Sequence, residues 1–136
     1  MNAPAQNNIE KTDDIAKYID FMSPAGSSTA SAQKAWKTLQ PALPGVLDRF
    51  YESLLAQEEL RQKMGDHQKD TSGLKGAQTR HWDYIFNNEP DLEFIGQAAR
   101  IGKAHVRIGL KAEWLMSAFG RMLNETLPFI VKKNRF

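Results

Sequence analysis

His105 stands on a helical face that is built from small and apolar residues. The residues that share this face at helical spacing are Ala98, Ile101, Gly102 and Ile108. Because alanine and glycine leave room beside the imidazole, a flat macrocycle that carries a metal can lie against the face with His105 as a ligand. The alternative is an ordinary core histidine with a hydrogen-bond partner, and this segment alone favours that alternative because short motifs often match by chance.

Tyr51 is the second candidate, because it interrupts an otherwise apolar helical face. The helix predicted over Pro44–Gln57 turns Leu47, Phe50 and Leu54 to the same side as this tyrosine. A tyrosine in apolar surroundings needs a partner for its hydroxyl group. Tyr51 therefore either bonds to the backbone or donates a hydrogen bond to a ligand.

A mixed polar and apolar face is predicted on the helix over Ser72–Asn87. Leu74, Ala77, Gln78 and His81 share this face at helical spacing. The face fits either a partly exposed boundary of the core or the wall of a site opposite His105. A third histidine, His67, stands in the polar loop 65–73, where solvation is the commoner situation.

Several kinds of chemistry are not indicated. The chain has no cysteine, which excludes disulfides and thiolate ligands. Its three histidines lack the spacing of zinc or di-iron cages. There is no Gly-x-Ser-x-Gly turn, and the Gly73–Gly76 segment lacks the spacing of a phosphate loop.

Length and composition indicate one globular domain. The chain has 136 residues, of which 41% are hydrophobic, enough for a single core. A formal net charge of +2 gives no support for a nucleic-acid partner. The sequence has neither a secretory signal nor an apolar run that would span a bilayer, so we expect a cytoplasmic protein without a membrane partner.

Helical periodicity without strand alternation predicts an all-α chain. The predicted helices are 9–22, 27–39, 44–57, 58–64, 72–87, 93–109 and 111–131, after a disordered tail over 1–8. Gly109 suits the left-handed conformation that ends a helix. The last helix is apolar on more than one side, which predicts burial or an interface. Pro128 is expected to kink or end it.

The ordered set of these residues resembles the globin-coupled sensors. The matching residues are Leu39-Gln-Pro, Leu47-Asp-Arg-Phe-Tyr51, His67, Leu74-Lys, Arg80-His81, Ile101, His105-x-x-Ile-Gly-Leu110 and Trp114, within roughly residues 30–127. The spacing from His81 to His105 is also similar to that in the haem aerotaxis transducers of this family. The resemblance implies a globin fold with an N-terminal pre-helix and no D helix, and haem b (iron protoporphyrin IX) as the cofactor.

The resemblance also implies roles for individual residues. His105 matches the proximal metal ligand, and Tyr51 matches the distal tyrosine that donates a hydrogen bond to O2, with Phe50 packed beside it. Ala77 stands where some relatives carry threonine, so a second hydrogen bond to O2 is either absent or comes from Gln78. The remaining expected cofactor-binding residues are Leu74 on the distal side, His67 and His81 near the haem edge, and Ile101, Leu115 and Phe119.

The implied function is that of a haem-based O2 sensor, with CO and NO as further ligands, that regulates a linked signalling domain. Residues 9–136 then form a sensor domain without enzymatic activity, apparently lacking the family's final helix and output domain. We expect it to form a homodimer through the helix over Lys111–Val131. One alternative is a haem-free regulatory globin that acts as an interaction module. Another is a haem enzyme that turns over NO or O2.

Overall fold

The computed structural model describes residues 6–23 and 28–133, and within these ranges the chain is all-α. The helices are α1 (Gln6–Met22), α2 (Thr29–Leu39), α3 (Leu43–Leu55), α4 (Glu58–Lys63), α5 (Ser72–Asn87), α6 (Leu92–Arg107) and α7 (Ala112–Lys133). A 3-10 turn over Gly65–Gln68 separates α4 from α5. No helix in the described ranges combines the length and apolar character that crossing a bilayer requires.

The helix order confirms the predicted fold class. A pre-helix, α1, precedes the body, and only the short α4 and the 3-10 turn lie between α3 and α5. Helix boundaries agree with the predicted ones to within a few residues, and α5 has the predicted bounds. Residues 1–5 of the predicted tail, the predicted helix start at Ser27 and residues 134–136 lie outside the described ranges.

Of the two expectations for Pro128, a kink or a helix end, the helix end is excluded, since α7 continues through this proline to Lys133. Proline removes one backbone donor, which here would bond to the carbonyl of Asn124. The helix therefore tolerates the loss of one internal hydrogen bond. Thr126 is buried nearby, and its hydroxyl donates to the carbonyl of Met122 at 2.9 Å, so the polar group adds no unsatisfied donor to the core.

The core lies where α2, α3 and α7 meet. Its buried hydrophobic residues are Trp36 and Leu39 of α2, Leu43, Val46, Leu47, Phe50 and Tyr51 of α3, and Met122 of α7. Helix α5 closes one side through aromatic packing. The Trp36 ring stacks on Phe86 with ring centroids 5.4 Å apart, and Phe86 in turn lies 6.1 Å from Trp82. This packing holds α5 against the core.

Candidate functional site

Helix α6, which carries His105, is anchored at its N-terminus to α5. The carboxylate of Asp91 accepts a hydrogen bond from the backbone N–H of Phe94 at 2.9 Å, which caps the helix. The hydroxyl of Tyr84, near the end of α5, donates to the same carboxylate oxygen at 3.3 Å. The first turn of α6 is therefore tied to the last turns of α5.

The C-terminus of α6 is closed by a glycine turn. Gly109 has φ of 72°, which confirms the predicted left-handed position. Its N–H donates to the carbonyl of Val106 at 2.9 Å, and the N–H of Leu110 donates to the carbonyl of His105 at 3.1 Å. This pair of bonds is a Schellman motif. It fixes the backbone of the turn that carries His105.

The imidazole of His105 is oriented by its own helix. Its Nδ1 lies 2.7 Å from the carbonyl oxygen of Ile101, one turn earlier. A carbonyl oxygen only accepts, so Nδ1 carries the proton in this bond. In the neutral ring Nε2 then carries the lone pair, which is the arrangement that a metal-ligating histidine requires.

Between its anchored ends, α6 packs against little protein. None of its residues is buried, and none belongs to the described core. A Cβ atom added at Gly102 would meet no described atom within 4 Å outside the helix's own backbone. The face beside His105 therefore has room for another group.

A cleft of about 300 Å³ lies between α5 and α6. It is lined by Ala77, Arg80, His81 and Tyr84 of α5 and by Gln97, Arg100 and Ile101 of α6. Ala77 and Ile101 are apolar, and the other five side chains offer hydrogen-bond donors. The cleft brings together Ala77, His81 and Ile101, three of the residues predicted to bind the cofactor.

Arg80 and Arg100 are cleft residues that were not predicted. Within the described ranges, neither guanidinium is paired with a carboxylate. Two arginines on facing helices beside Ala77 and Ile101 suit a ligand with an apolar body and carboxylate groups. In the sequence, the only sign of these two arginines is that they lie near predicted site residues. Arg80 lies one turn after Ala77, and Arg100 directly precedes Ile101.

Tyr51 lies on the core side of α5 and is bonded to that helix. The amide Nε2 of Gln78 donates to the Tyr51 Oη at 3.0 Å, and the side chain of Tyr51 is 6% exposed. Phe50 packs its ring edge-to-face on Tyr51, with centroids 5.3 Å apart. One turn earlier on both helices, Lys75 Nζ lies 2.9 Å from Asp48 Oδ1. Two cross-links therefore set the position of α3 against α5.

Burial raises the pKa of the Tyr51 hydroxyl above its ordinary value of 10.0, and the Gln78 hydrogen bond and the charge on Lys75 offset part of this effect. In the bond to Gln78 the Tyr51 hydroxyl is the acceptor and keeps its own proton. Its predicted role as a donor to a ligand stays a prediction.

The other predicted site residues are placed differently. His67 lies exposed in the 3-10 turn, and Leu74 is half-buried against the core. On α7, Leu115 is 38% exposed and Phe119 is 74% exposed. The cleft lining does not include these four residues, nor does it include His105, Phe50, Tyr51 or Gln78, so the part that each of these eight plays in the site stays a prediction.

The described residues contain no group of three or more histidine, aspartate or glutamate side chains that is placed to hold a metal ion.

A comparison with protein families identifies a match. The Protoglobin family model matches residues 11–136, which is most of the 136-residue chain. The matched range includes Tyr51, Gln78, the cleft between α5 and α6, and His105. No solved structure matches the chain. The chain therefore belongs to the Protoglobin family.

Proposed function

We propose that this chain is a haem-based O2 sensor domain in which haem b lies in the cleft between α5 and α6. Protoglobin membership implies haem binding and a globin fold that binds small gases. The observation that carries the proposal to this site is the 2.7 Å hydrogen bond from His105 Nδ1 to Ile101, because it leaves Nε2 as the metal-binding atom. Ile101, whose carbonyl accepts this bond, also lines the cleft.

The cleft residues supply the contacts that a haem needs. Ala77 and Ile101 give apolar surface for the ring, and the absence of a side chain at Gly102 allows close approach to α6. Arg80 and Arg100 carry the charges that would hold the two propionate carboxylates. His81, in the same cleft, is a further donor near the haem edge.

When bound, haem supplies an iron centre with one open coordination position for a diatomic gas. On the protein side, His105 would hold the metal from α6, and the Tyr51 hydroxyl would donate a hydrogen bond to the gas from α3. Because O2 is a better hydrogen-bond acceptor than CO in such a site, this donor would favour O2, with CO and NO as further ligands.

Helix α3 also connects the proposed gas site to α7. Arg49, two residues before Tyr51, pairs with Glu125 of α7 through Nε and Oε2 at 3.1 Å. A change in Tyr51 bonding between ligand states would reach α7 through this contact and through the shared core. We propose that α7 passes the change to a linked signalling domain.

Helix α7 is also the proposed homodimer surface. Met116, Phe119 and Leu123 of α7 are 73%, 74% and 56% exposed, an apolar stripe that favours association. Light scattering of the wild type should give twice the chain mass, and Phe119→Glu should give a monomer. Asn124→Glu, on a polar position of the same helix, is the matched control. A monomeric wild type with haem bound would reject the dimer.

The experiment that tests the function is a titration of the purified chain with hemin, followed by reduction and exposure to O2. We expect one haem per chain, a Soret band, and a reversible spectral change on adding and removing O2. A folded chain that takes up no haem would contradict the proposal and would support the haem-free regulatory globin instead. Steady consumption of NO with an added electron donor would support the enzyme.

A further inference from the structure

We infer that Gln78 is a positioning residue that directs the hydroxyl proton of Tyr51 towards the gas ligand and thereby sets the preference for O2 over CO. The inference rests on the proposed function, since it matters only if a gas binds beside Tyr51. It assigns to Gln78 a role different from that of a second donor to O2.

The direction of the hydrogen bond carries the argument. A tyrosine hydroxyl has one donor and two acceptor sites, whereas an amide N–H only donates. Gln78 Nε2 donates to Tyr51 Oη at 3.0 Å, so the Tyr51 proton must point away from Gln78. Among the described residues, no other side chain or carbonyl accepts that proton. The proposed gas ligand would supply the acceptor that this proton lacks.

The surrounding contacts hold this arrangement in place. Lys75 and Asp48 form an ion pair between the same two helices at 2.9 Å, one turn before Gln78 and Tyr51. Tyr51 is 6% exposed, and the Phe50 ring packs against it. With the phenol ring buried and packed in this position, the polarity of the Gln78 amide decides where the hydroxyl points.

An isosteric change of polarity tests this role. In Gln78→Glu the carboxylate can only accept, so the Tyr51 proton turns towards it and is lost to the ligand. In Gln78→Leu the bond disappears, but the proton stays free to rotate. We expect O2 release to quicken roughly tenfold or more in Gln78→Glu, approaching Tyr51→Phe, and only a few-fold in Gln78→Leu. CO release should change little in all three.

A double mutant separates positioning from a direct contact with the ligand. In a Tyr51→Phe background, Gln78→Glu should have no further effect on O2 release, because Gln78 acts through the missing hydroxyl. The exposed Gln62→Glu adds the same charge on α4, where Gln62 bonds to Glu58 and not to Tyr51, and should leave O2 release unchanged. The inference would be overturned if Gln78→Glu and Gln78→Leu quickened O2 release equally. It would also be overturned if Gln78→Glu quickened O2 release as much in the Tyr51→Phe background as in the wild type.

A second readout needs no haem. Ultraviolet titration of the haem-free chain, with the Tyr51→Phe titration subtracted, reports the ionisation of Tyr51 alone. Losing the Gln78 bond in Gln78→Leu should raise the pKa of Tyr51, and the added negative charge in Gln78→Glu should raise it further. Failure of haem uptake would defeat the proposed function and leave this titration intact. An unshifted Tyr51 titration would defeat the positioning role alone.

Discussion

His105 donates from Nδ1 to the carbonyl oxygen of Ile101 over 2.7 Å, and this contact fixes both the tautomer and the rotation of the imidazole. The carbonyl of His105 is also engaged, since it accepts the N–H of Leu110 at 3.1 Å. Side chain and backbone of this residue are therefore held by the last turn of one helix. A ligand that binds Nε2 finds the nitrogen already oriented.

Tyr51→Phe removes the proposed donor to O2 while keeping the ring in the core. Losing one hydrogen bond to a charged acceptor costs roughly 1.5–3 kcal/mol, so O2 should leave about ten to about a hundred times faster. Stopped-flow replacement of O2 by CO measures this rate. Tyr18→Phe, at an exposed position of α1, is the control. An unchanged rate in Tyr51→Phe would reject Tyr51 as the donor.

Gly102→Ala should have opposite effects on the empty and the haem-bound protein. The added Cβ meets no described atom within 4 Å, and replacing glycine within a helix stabilises it by about 0.5–1 kcal/mol. The haem-free chain should therefore unfold at higher urea concentration. If haem lies against this face, the same methyl group should weaken haem binding, measured as faster transfer to apomyoglobin.

Gly120→Ala is the matched control for that prediction. Gly120 lies within α7, and its added Cβ also meets no described atom within 4 Å. It should give the same gain in stability without changing haem transfer. If Gly102→Ala and Gly120→Ala retain haem equally, the haem does not lie against the Gly102 face of α6.

Arg80→Ala and Arg100→Ala should weaken the hold on haem carboxylates without disturbing the fold. Both arginines line the cleft, and removing a charged hydrogen bond costs about 1.5–3 kcal/mol, so haem should transfer to apomyoglobin about tenfold faster or more. Haem dimethyl ester lacks the carboxylates, and with it the variants should match the wild type. Arg107→Ala, on α6 but outside the cleft, should release haem at the wild-type rate. If the variants also lose haem dimethyl ester faster than the wild type does, the arginines do not act by pairing with the haem carboxylates.

The raised pKa of Tyr51 predicts a loss of stability at alkaline pH. Burial favours the neutral phenol in the folded state, so its stabilising contribution is complete below the unfolded value of about 10.0. The contribution is lost as pH rises through the higher folded pKa. The free energy of unfolding should therefore fall more steeply with alkaline pH in the wild type than in Tyr51→Phe. Parallel curves from urea denaturation would contradict the burial of an ionisable phenol.

The sequence predicts the helices well because helical periodicity and end signals are local. The bounds of α5 and the left-handed conformation of Gly109 depend only on neighbouring residues. Pro128 does not end α7, because a proline removes a single backbone donor and the remaining hydrogen bonds of the helix continue past it. Residue type alone does not decide between these outcomes.

The site is only partly predictable for a related reason. Ala77, His81 and Ile101 were found because each lies on a face that its own helix defines. Arg80 and Arg100 could not be found that way, since their meeting depends on how α5 and α6 are oriented. The bond between Gln78 and Tyr51 likewise depends on how α5 is aligned with α3. The two residues are 27 positions apart in the sequence.

The central claim is that His105 binds the iron of a haem held in the cleft between α5 and α6. The most direct test is the visible spectrum of the ferrous protein after reconstitution with haem, compared between wild type, His105→Ala and His81→Ala. We expect a Soret band that shifts with O2 in wild type and His81→Ala and is abolished in His105→Ala. A wild-type spectrum retained unchanged in His105→Ala would contradict the claim.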